Sequence, residues 1–466
     1  MSSNKMKNAV FPEVDYHAWE QAALKTLKRQ SLEALYKETY EGIKLSPIYT
    51  KLDNKHSNIR RFSINNSWKI AQKISNPDWE DLVQQIKMVI AGELETISLD
   101  IDKLDEIYKL DFTGIVFNNT PILLFTKKNF PTVAKKVIQF GADLTGAVAF
   151  DLISSRLDEG YLFKRKRQIL RDWGTTISKL DRKHPRLKTI LIDSAPYHNS
   201  GANAVQELAA SLAEAIFYIE EMRKIGWEPY KTIQKMIFHF SIGSNFFMEV
   251  AKLRAFRSLW RTVSSAYKVD PEEGNPLISA ETSAFTKSLL DPHMNILRSG
   301  NEAFAAVIGG VDFLHVTPFN SISNLADEFS MRIARNTQLI LREEAYLNKV
   351  IDPAGGSFYI ESLTSNLIEK AWELFQDIDE KGGIYSVLQN GSFQRMIKET
   401  LLKKTEDIRN RKKLMIGVNI FKQDPNGKYS RKSKPISENN IDFVKIEPLE
   451  RVRLAEKCES GDCNGS

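Results

Sequence analysis

Cysteine is nearly missing from this chain. Only Cys458 and Cys463 occur, five positions apart in a terminal stretch of Gly, Ser and Asp. That excludes a structural disulfide framework and leaves a thiolate metal site short of partners. A body without cysteine fits a reducing cytoplasm, where the protein is expected to reside. Long hydrophobic runs are missing as well. No stretch of about 18 apolar residues occurs, so no membrane span is expected. The polar residues 1–8 have no apolar core of a secretory leader. Charge of one sign is not in excess either, with 65 Lys and Arg against 59 Asp and Glu, a net +6. So small a surplus gives no support to a nucleic-acid or membrane-surface binder. There is no Gly-rich phosphate loop, no Gly-x-Ser-x-Gly elbow and no His/Asp/Glu spacing of a zinc or di-metal site. No metal is expected on this chain.

What is present is a long soluble chain of 466 residues, 42% hydrophobic and 27% charged. That length suits a large barrel with extensions, or two to three domains. Helical periodicity runs from about 16 to 39, and a Gly- and Pro-containing arm follows at 40–49, then a polar loop at 51–64. From about residue 78 helices and strands alternate. Strands are expected at 96–102, 114–117, 121–125, 147–153, 187–193, 236–240, 276–280 and 312–317. The helices between them include 79–91, 132–140, 204–225, 246–267, 295–307 and 324–346. Strands separated by single helices imply parallel pairing with crossovers. About eight such units favour an α/β fold of the (β/α)8 TIM barrel type over an open doubly wound sheet, which would carry a Gly-rich turn after its first strand. The expected division is an N-terminal helix and extended arm at 1–60, the barrel at 61–362, and a helical extension with a flexible tail at 363–466. Helices at 363–378 and 381–411 and a last strand at 413–421 precede a tail expected to be disordered from about Lys422.

Candidate chemistry is sparse. Tyr197 and His198 follow the strand ending at Asp193, which puts them at the C-terminal mouth of a barrel, where catalytic groups of this fold sit. An imidazole there can donate to a carbonyl and hold it during reaction; the plainer reading is a loop histidine bonded to backbone. His239 and His315 lie in apolar runs and read as interior histidines. Arg254 and Arg257, on the helix after the 236–240 strand, can grip phosphate bidentately; a solvated or salt-bridged face is the commoner use. Asp291-Pro-His293 begins like the Asp-x-His-x-x-Gly string of a cobalt-ligating histidine, but Ile296 stands where Gly is required. It reads as a helix start.

Several ordered segments carry a resemblance. Phe238-His-Phe-Ser-Ile-Gly-Ser-Asn-Phe-Phe-Met-Glu-Val-Ala-Lys-Leu-Arg-Ala-Phe-Arg-Ser-Leu-Trp260, Tyr197-His-Asn-Ser-Gly-Ala202, Phe329-Ser-Met-Arg-Ile-Ala-Arg-Asn-Thr-Gln338, Val350-Ile-Asp-Pro-Ala-Gly-Gly-Ser-Phe-Tyr359 and Thr39-Tyr-Glu-Gly-Ile-Lys-Leu-Ser-Pro-Ile-Tyr-Thr50 resemble the methylmalonyl-CoA mutase family over about residues 39–361. The resemblance implies a barrel that encloses an acyl-CoA thioester, with adenosylcobalamin on a separate α/β domain supplying a radical. It also implies roles for Tyr197 and His198 at the thioester and for Arg254 and Arg257 in substrate binding.

The pattern breaks at substrate positions. Catalytic members carry Arg-Pro-Trp-Thr-Ile-Arg-Gln-Tyr where this chain has Asn66-Ser-Trp-Lys-Ile-Ala-Gln-Lys73, and Arg-Thr-His-Ser-Gln-Thr-Ser-Gly where it has Leu277-Ile-Ser-Ala-Glu-Thr-Ser-Ala284. Tyrosine becomes Lys73, histidine Ser279 and glutamine Glu281, and no cobalamin-binding domain is visible. What remains resembles the small (beta) subunit of heterodimeric members. That resemblance implies a partner large subunit, adenosylcobalamin on that partner, and a degenerate site here, with Tyr197 and His198 possible vestiges. The alternative is a catalytic acyl-CoA-binding barrel that uses a cobalamin domain on another chain.

Overall fold

The computed structural model describes residues 15–28, 31–53, 67–92, 95–112, 115, 117, 119–141, 143–165, 167–323, 327–421, 442–461 and 463. Eight parallel strands close into a barrel: β1 (Lys69–Ile74), β2 (Thr96–Leu99), β3 (Ile122–Phe125), β4 (Gly146–Phe150), β5 (Leu187–Asp193), β6 (Met236–Ile242), β7 (Leu277–Thr282) and β8 (Phe313–His315). Neighbours follow chain order, and β8 closes on β1 through Phe313 opposite Lys69 and Leu314 opposite Ile70. Closure explains why the strands read as nearly continuous apolar runs. Both faces are covered, and β6 is buried along its whole length.

Alternation along the strands divides the apolar side chains in two. Ile97, Ile122, Val148, Ile190, Phe238 and Leu314 join the main core under the helices. Ala71, Leu123, Ala147, Ala149, Leu191, Ile237 and Phe313 form a separate cluster that fills the barrel itself. Strand β4 opens on a glycine for a geometric reason. Gly146 has φ +97°, and a Cβ there would stand 2.2 Å from the Ile122 carbonyl oxygen.

The helices that matter for the site are α1 (Ala195–Asn199), α2 (Ala204–Lys224), α3 (Phe246–Ala266), α4 (Met294–Gly309), α5 (Phe358–Glu380) and α6 (Ser392–Arg409). Helix α2 starts on a reciprocal capping box between Asn203 and Gln206, which satisfies two backbone donors. Helix α3 takes Asn245 as its N-cap without a side-chain bond.

Several boundaries differ from expectation. The first helical pattern stops at Leu27, where Lys28 turns left-handed at φ 50°. Residues 37–45 then form a two-stranded hairpin in place of a plain arm. Ile115 and Phe117 are buried without being strand, their apolar side chains packing a loop against the core. Residues 414–421 are a turn with one isolated bridge and pair with no strand among the described residues. The polar loop expected at 51–64 opens as a 3-10 turn at Lys51–Asp53; its remainder, 54–64, and Asn66 lie outside the described residues.

The tail departs most from expectation. Residues 422–441 lie outside the described residues, but the chain after them is packed. Phe443–Lys445 pairs antiparallel with Tyr161–Phe163, and Leu449, Leu454 and Ala455 are buried. Cys458 and Cys463 are bonded to each other. A few apolar residues spaced through an ionic segment suffice, because each finds a gap already made by the barrel's loops. Among the described residues, no helix is long and apolar enough to cross a membrane.

Candidate functional site at the barrel mouth

Strand β5 delivers Asp193 to the C-terminal rim, and α1 follows at once with Pro196 in its first turn. Its fixed φ suits a helix start. This short helix turns Tyr197 and His198 inward. His198 is 5% exposed. Its Nδ1–H donates to Glu207 Oε1 at 2.8 Å, and Nε2 meets the Ser283 hydroxyl at 2.8 Å. Glu207, on α2, also accepts from Lys252 Nζ of α3 at 2.9 Å. Lys252 reaches Glu249 at 2.6 Å and the Ser241 carbonyl at 3.0 Å. Burial works against the Lys252 charge, yet Glu207 and Glu249 push its pKa up to about 12. Glu207 is held below the ordinary carboxyl range because Lys252 and His198 outweigh its own burial. His198 therefore has both ring nitrogens engaged inside a buried ionic network.

Tyr197 is fully buried and donates to Glu214 on α2. Burial, then the nearby Asp151 carboxylate, drives the Glu214 pKa well above its ordinary value. Asp151 is itself tied to the Tyr218 hydroxyl at 2.5 Å and the Asp193 N–H at 2.8 Å. Tyr197 thus belongs to the packing between α2 and the rim rather than to an open surface.

The replaced positions meet inside the barrel. Lys73 from β1 and Glu281 from β7 stand two strands apart, and Nζ lies 3.2 Å from Oε2, passing over β8. Glu281 lies opposite His315 in the β7–β8 register, and Ser279 opposite His239 in β6–β7. His239 Nε2 is 3.7 Å from Glu281 Oε2, and its Nδ1 is 3.1 Å from Ser279 Oγ. His315 Nδ1 accepts from the Lys73 N–H at 3.0 Å.

Although burial pushes the Glu281 carboxyl up, Lys73 and the two histidines hold it well below its usual range. Glu281 in turn raises Lys73 against the opposing effect of burial. Burial, then the Lys73 cation, lowers His315 to about 3. The result is an ionic layer above the apolar plug, with the Lys73 side chain still 35% exposed to the mouth.

Arg254 and Arg257 both have partners within the fold. Arg254 pairs with Asp352 and, at 2.6 Å, with Glu361 of α5. Arg257 donates to the Pro276 carbonyl at 3.2 Å and to Gly310, and pairs with Asp312 at 3.4 Å. Pro276 and Asp312 precede β7 and β8, so Arg257 sits at the N-terminal end of the barrel. Helix α3 runs away from the mouth, and a residue three turns along it is carried to the far face.

His293, the histidine in the cobalt-like string, stacks on Phe319 at 5.3 Å at the head of α4. Among the described residues, no group of three or more His, Cys, Asp or Glu is arranged to hold a metal ion.

Sequence reading missed Glu207, Lys252 and Ser283 as neighbours of His198. Only Glu249 and Lys252, one helical turn apart, carried a local signal.

A model of the methylmalonyl-CoA mutase family matches residues 89–461. A methylmalonyl-CoA mutase small subunit from Porphyromonas gingivalis is 29% identical over 97% of this chain and 76% of its own length. A methylmalonyl-CoA mutase from Cereibacter sphaeroides is 28% identical over 94% of this chain and 68% of its length. A methylmalonyl-CoA mutase small subunit from Streptomyces virginiae is 37% identical over 51% of this chain and 39% of its length. With its closed eight-stranded barrel and a family match over most of its length, the chain belongs to the methylmalonyl-CoA mutase family.

Proposed function

We propose that this chain is the small subunit of a heterodimeric methylmalonyl-CoA mutase and that its own barrel does not catalyse. Its partner is a large subunit that holds adenosylcobalamin and interconverts (R)-methylmalonyl-CoA and succinyl-CoA. One observation carries the reading: Lys73 and Glu281, which replace the tyrosine and glutamine of the catalytic pattern, pair with each other across the barrel at 3.2 Å. Two substitutions that compensate each other favour a stable closed interior over a site waiting for a ligand. The engaged nitrogens of His198 and the internal partners of Arg254 and Arg257 point the same way, because positioning groups bound to other partners cannot also orient a substrate.

The same proposal gives the N-terminal arm, within residues 1–60, a place at the subunit interface. Tyr49 packs on Tyr359 at 5.0 Å, and Tyr359 on Phe247 at 5.4 Å, with Phe247 46% exposed. A run of two half-buried tyrosines ending on the exposed Phe247 suits an interface.

The test is co-expression. This chain is prepared alone, with a separate cobalamin-domain protein, and with a large subunit that carries Asp-x-His-x-x-Gly, and mutase turnover is measured with adenosylcobalamin present. Turnover is expected only with the large subunit. Activity with the cobalamin-domain protein alone would establish the alternative, a catalytic barrel served by a separate domain. Full activity of the large subunit without this chain would refute the supporting role.

A further inference from the structure

The end of the chain runs as a strap over the loops at the C-terminal rim of the barrel. Beyond its pairing with Tyr161–Phe163, Leu449 N–H donates to Leu157 O at 2.8 Å, Val452 to Asn199 O at 2.9 Å, and Leu454 to Phe285 O at 2.8 Å. It therefore touches in turn the segments that follow β4, β5 and β7. Glu459 makes the last attachment, accepting from Ser288 Oγ at 3.1 Å, Leu289 N–H at 2.8 Å and Arg453 Nη1 at 2.6 Å.

Cys458 and Cys463, the chain's two cysteines, bracket this glutamate and are bonded to each other, with Cα atoms 4.6 Å apart. Both are buried, in a small apolar cluster with Phe285, Ile408, Val418 and Leu454 that is separate from the main core. Phe285 links the strap to the rim histidine. Its carbonyl holds Leu454, and its ring meets the His198 ring edge-on at 6.1 Å.

A bond between residues five apart cannot staple the strap to the barrel. What it does is fix the turn that presents Glu459. Opening that ring returns chain entropy to the detached strap end and favours its release. Lys457, Ser460 and Gly461 around the bond are exposed, so fraying of this terminal turn gives a reductant access to sulfurs that are otherwise covered.

We propose that Cys458 and Cys463 form a reversible thiol–disulfide latch, opened by a dithiol reductant, that releases the strap from the β7 rim and uncovers Phe285 above His198. A thiolate of the reductant attacks one sulfur, and the S–S bond breaks. The other cysteine leaves as a thiolate and takes up a proton. The second thiol of the reductant then displaces the first cysteine from the mixed disulfide, so the reductant ends as a disulfide and two electrons pass to the protein. Re-oxidation by a disulfide reverses the sequence.

The test is hydrogen exchange on the full chain, with intact mass reporting the bond. The chain is equilibrated with oxidised glutathione and compared with the same chain in excess dithiothreitol. For a ring of six residues, reduction is expected to speed exchange at the Leu454 amide by a few tens-fold, about the factor by which such a ring limits chain freedom. The Ile190 amide in β5 is expected to be unchanged. The C458S/C463S variant is expected to exchange fast at Leu454 with and without dithiothreitol; the reduced natural chain supplies the same comparison should that variant not fold. An unchanged Leu454 rate on reduction overturns the latch, and so does a mass showing two free thiols after the oxidising equilibration.

Discussion

Removing the charge of Glu281 leaves the Lys73 ammonium beside two histidines with its nearest counter-charge gone. At the 3.2 Å separation, Coulomb's law with an effective dielectric of about 20 gives an attraction of about 5 kcal/mol. Lys73 keeps 35% of its side chain in contact with solvent, and screening cuts such a pair heavily, to about 1–2 kcal/mol. E281Q is therefore expected to lose about 1–2 kcal/mol of stability in urea unfolding. K73M should lose more, about 2–3 kcal/mol, because Glu281, 16% exposed, is the better buried partner and would keep an uncompensated charge. The double variant K73M/E281L should return to within about 1 kcal/mol of the natural chain, since an apolar pair replaces an ionic one at similar volume.

The pH dependence follows from the two shifts. Glu281 has its folded pKa depressed below 4.5, so its contribution is present above that value and lost as pH falls through the folded one. Lys73 has its folded pKa raised above 10.5, so its contribution is present below 10.5 and lost as pH rises through the folded value. The coupling energy of the cycle K73M, E281Q and K73M/E281Q should thus be flat between about pH 5 and 10 and fall on both sides. A coupling energy within about 0.3 kcal/mol of zero at pH 7 would refute the pairing as the reason these substitutions occur together.

Other perturbations probe the surroundings. K252M strands the carboxylates of Glu207 and Glu249, whose side chains are 2% and 9% exposed, and should cost about 3–5 kcal/mol, read as loss of soluble folded protein on expression. His315 is held neutral down to about pH 3. Its folded pKa lies below its unfolded one, so it withdraws stability as pH drops below 6.5, by at most about 1.4 kcal/mol per pH unit; H315Q should flatten the urea midpoint between about pH 6 and 4. G146A places a Cβ against the Ile122 carbonyl at a left-handed φ and should destabilise by more than about 2 kcal/mol, whereas G300A, with open space around it, should raise thermal stability slightly.

The barrel was legible because its signal is repetitive. Seven of the eight strands overlap expected apolar runs, and Leu187–Asp193 reads the same in sequence and structure; β1, with Lys69, Gln72 and Lys73 among its six residues, is not among the expected strands. Boundaries failed where a tertiary contact replaced a local rule. The 16–39 pattern breaks at Lys28, and the 413–421 run has strand-forming residues but no partner strand among the described residues. The tail failed because its composition is ionic while its few apolar residues sit at the spacing of gaps between rim loops, a spacing that only the barrel defines.

The sequence by itself carried the family resemblance, the parallel alternation and the departures from the family's pattern at Lys73, Ser279 and Glu281, since these are matters of residue type and order along the chain. Only the tertiary structure decided what the replacements do. Lys73 and Glu281 are separated by 208 positions and joined by the curvature of the barrel, which brings β1 and β7 to either side of β8. The same closure commits His198 to Glu207 and Ser283 and carries Arg257 to the far end. Charge pairing depends on distances of a few ångströms, and those distances are set by how the strands close.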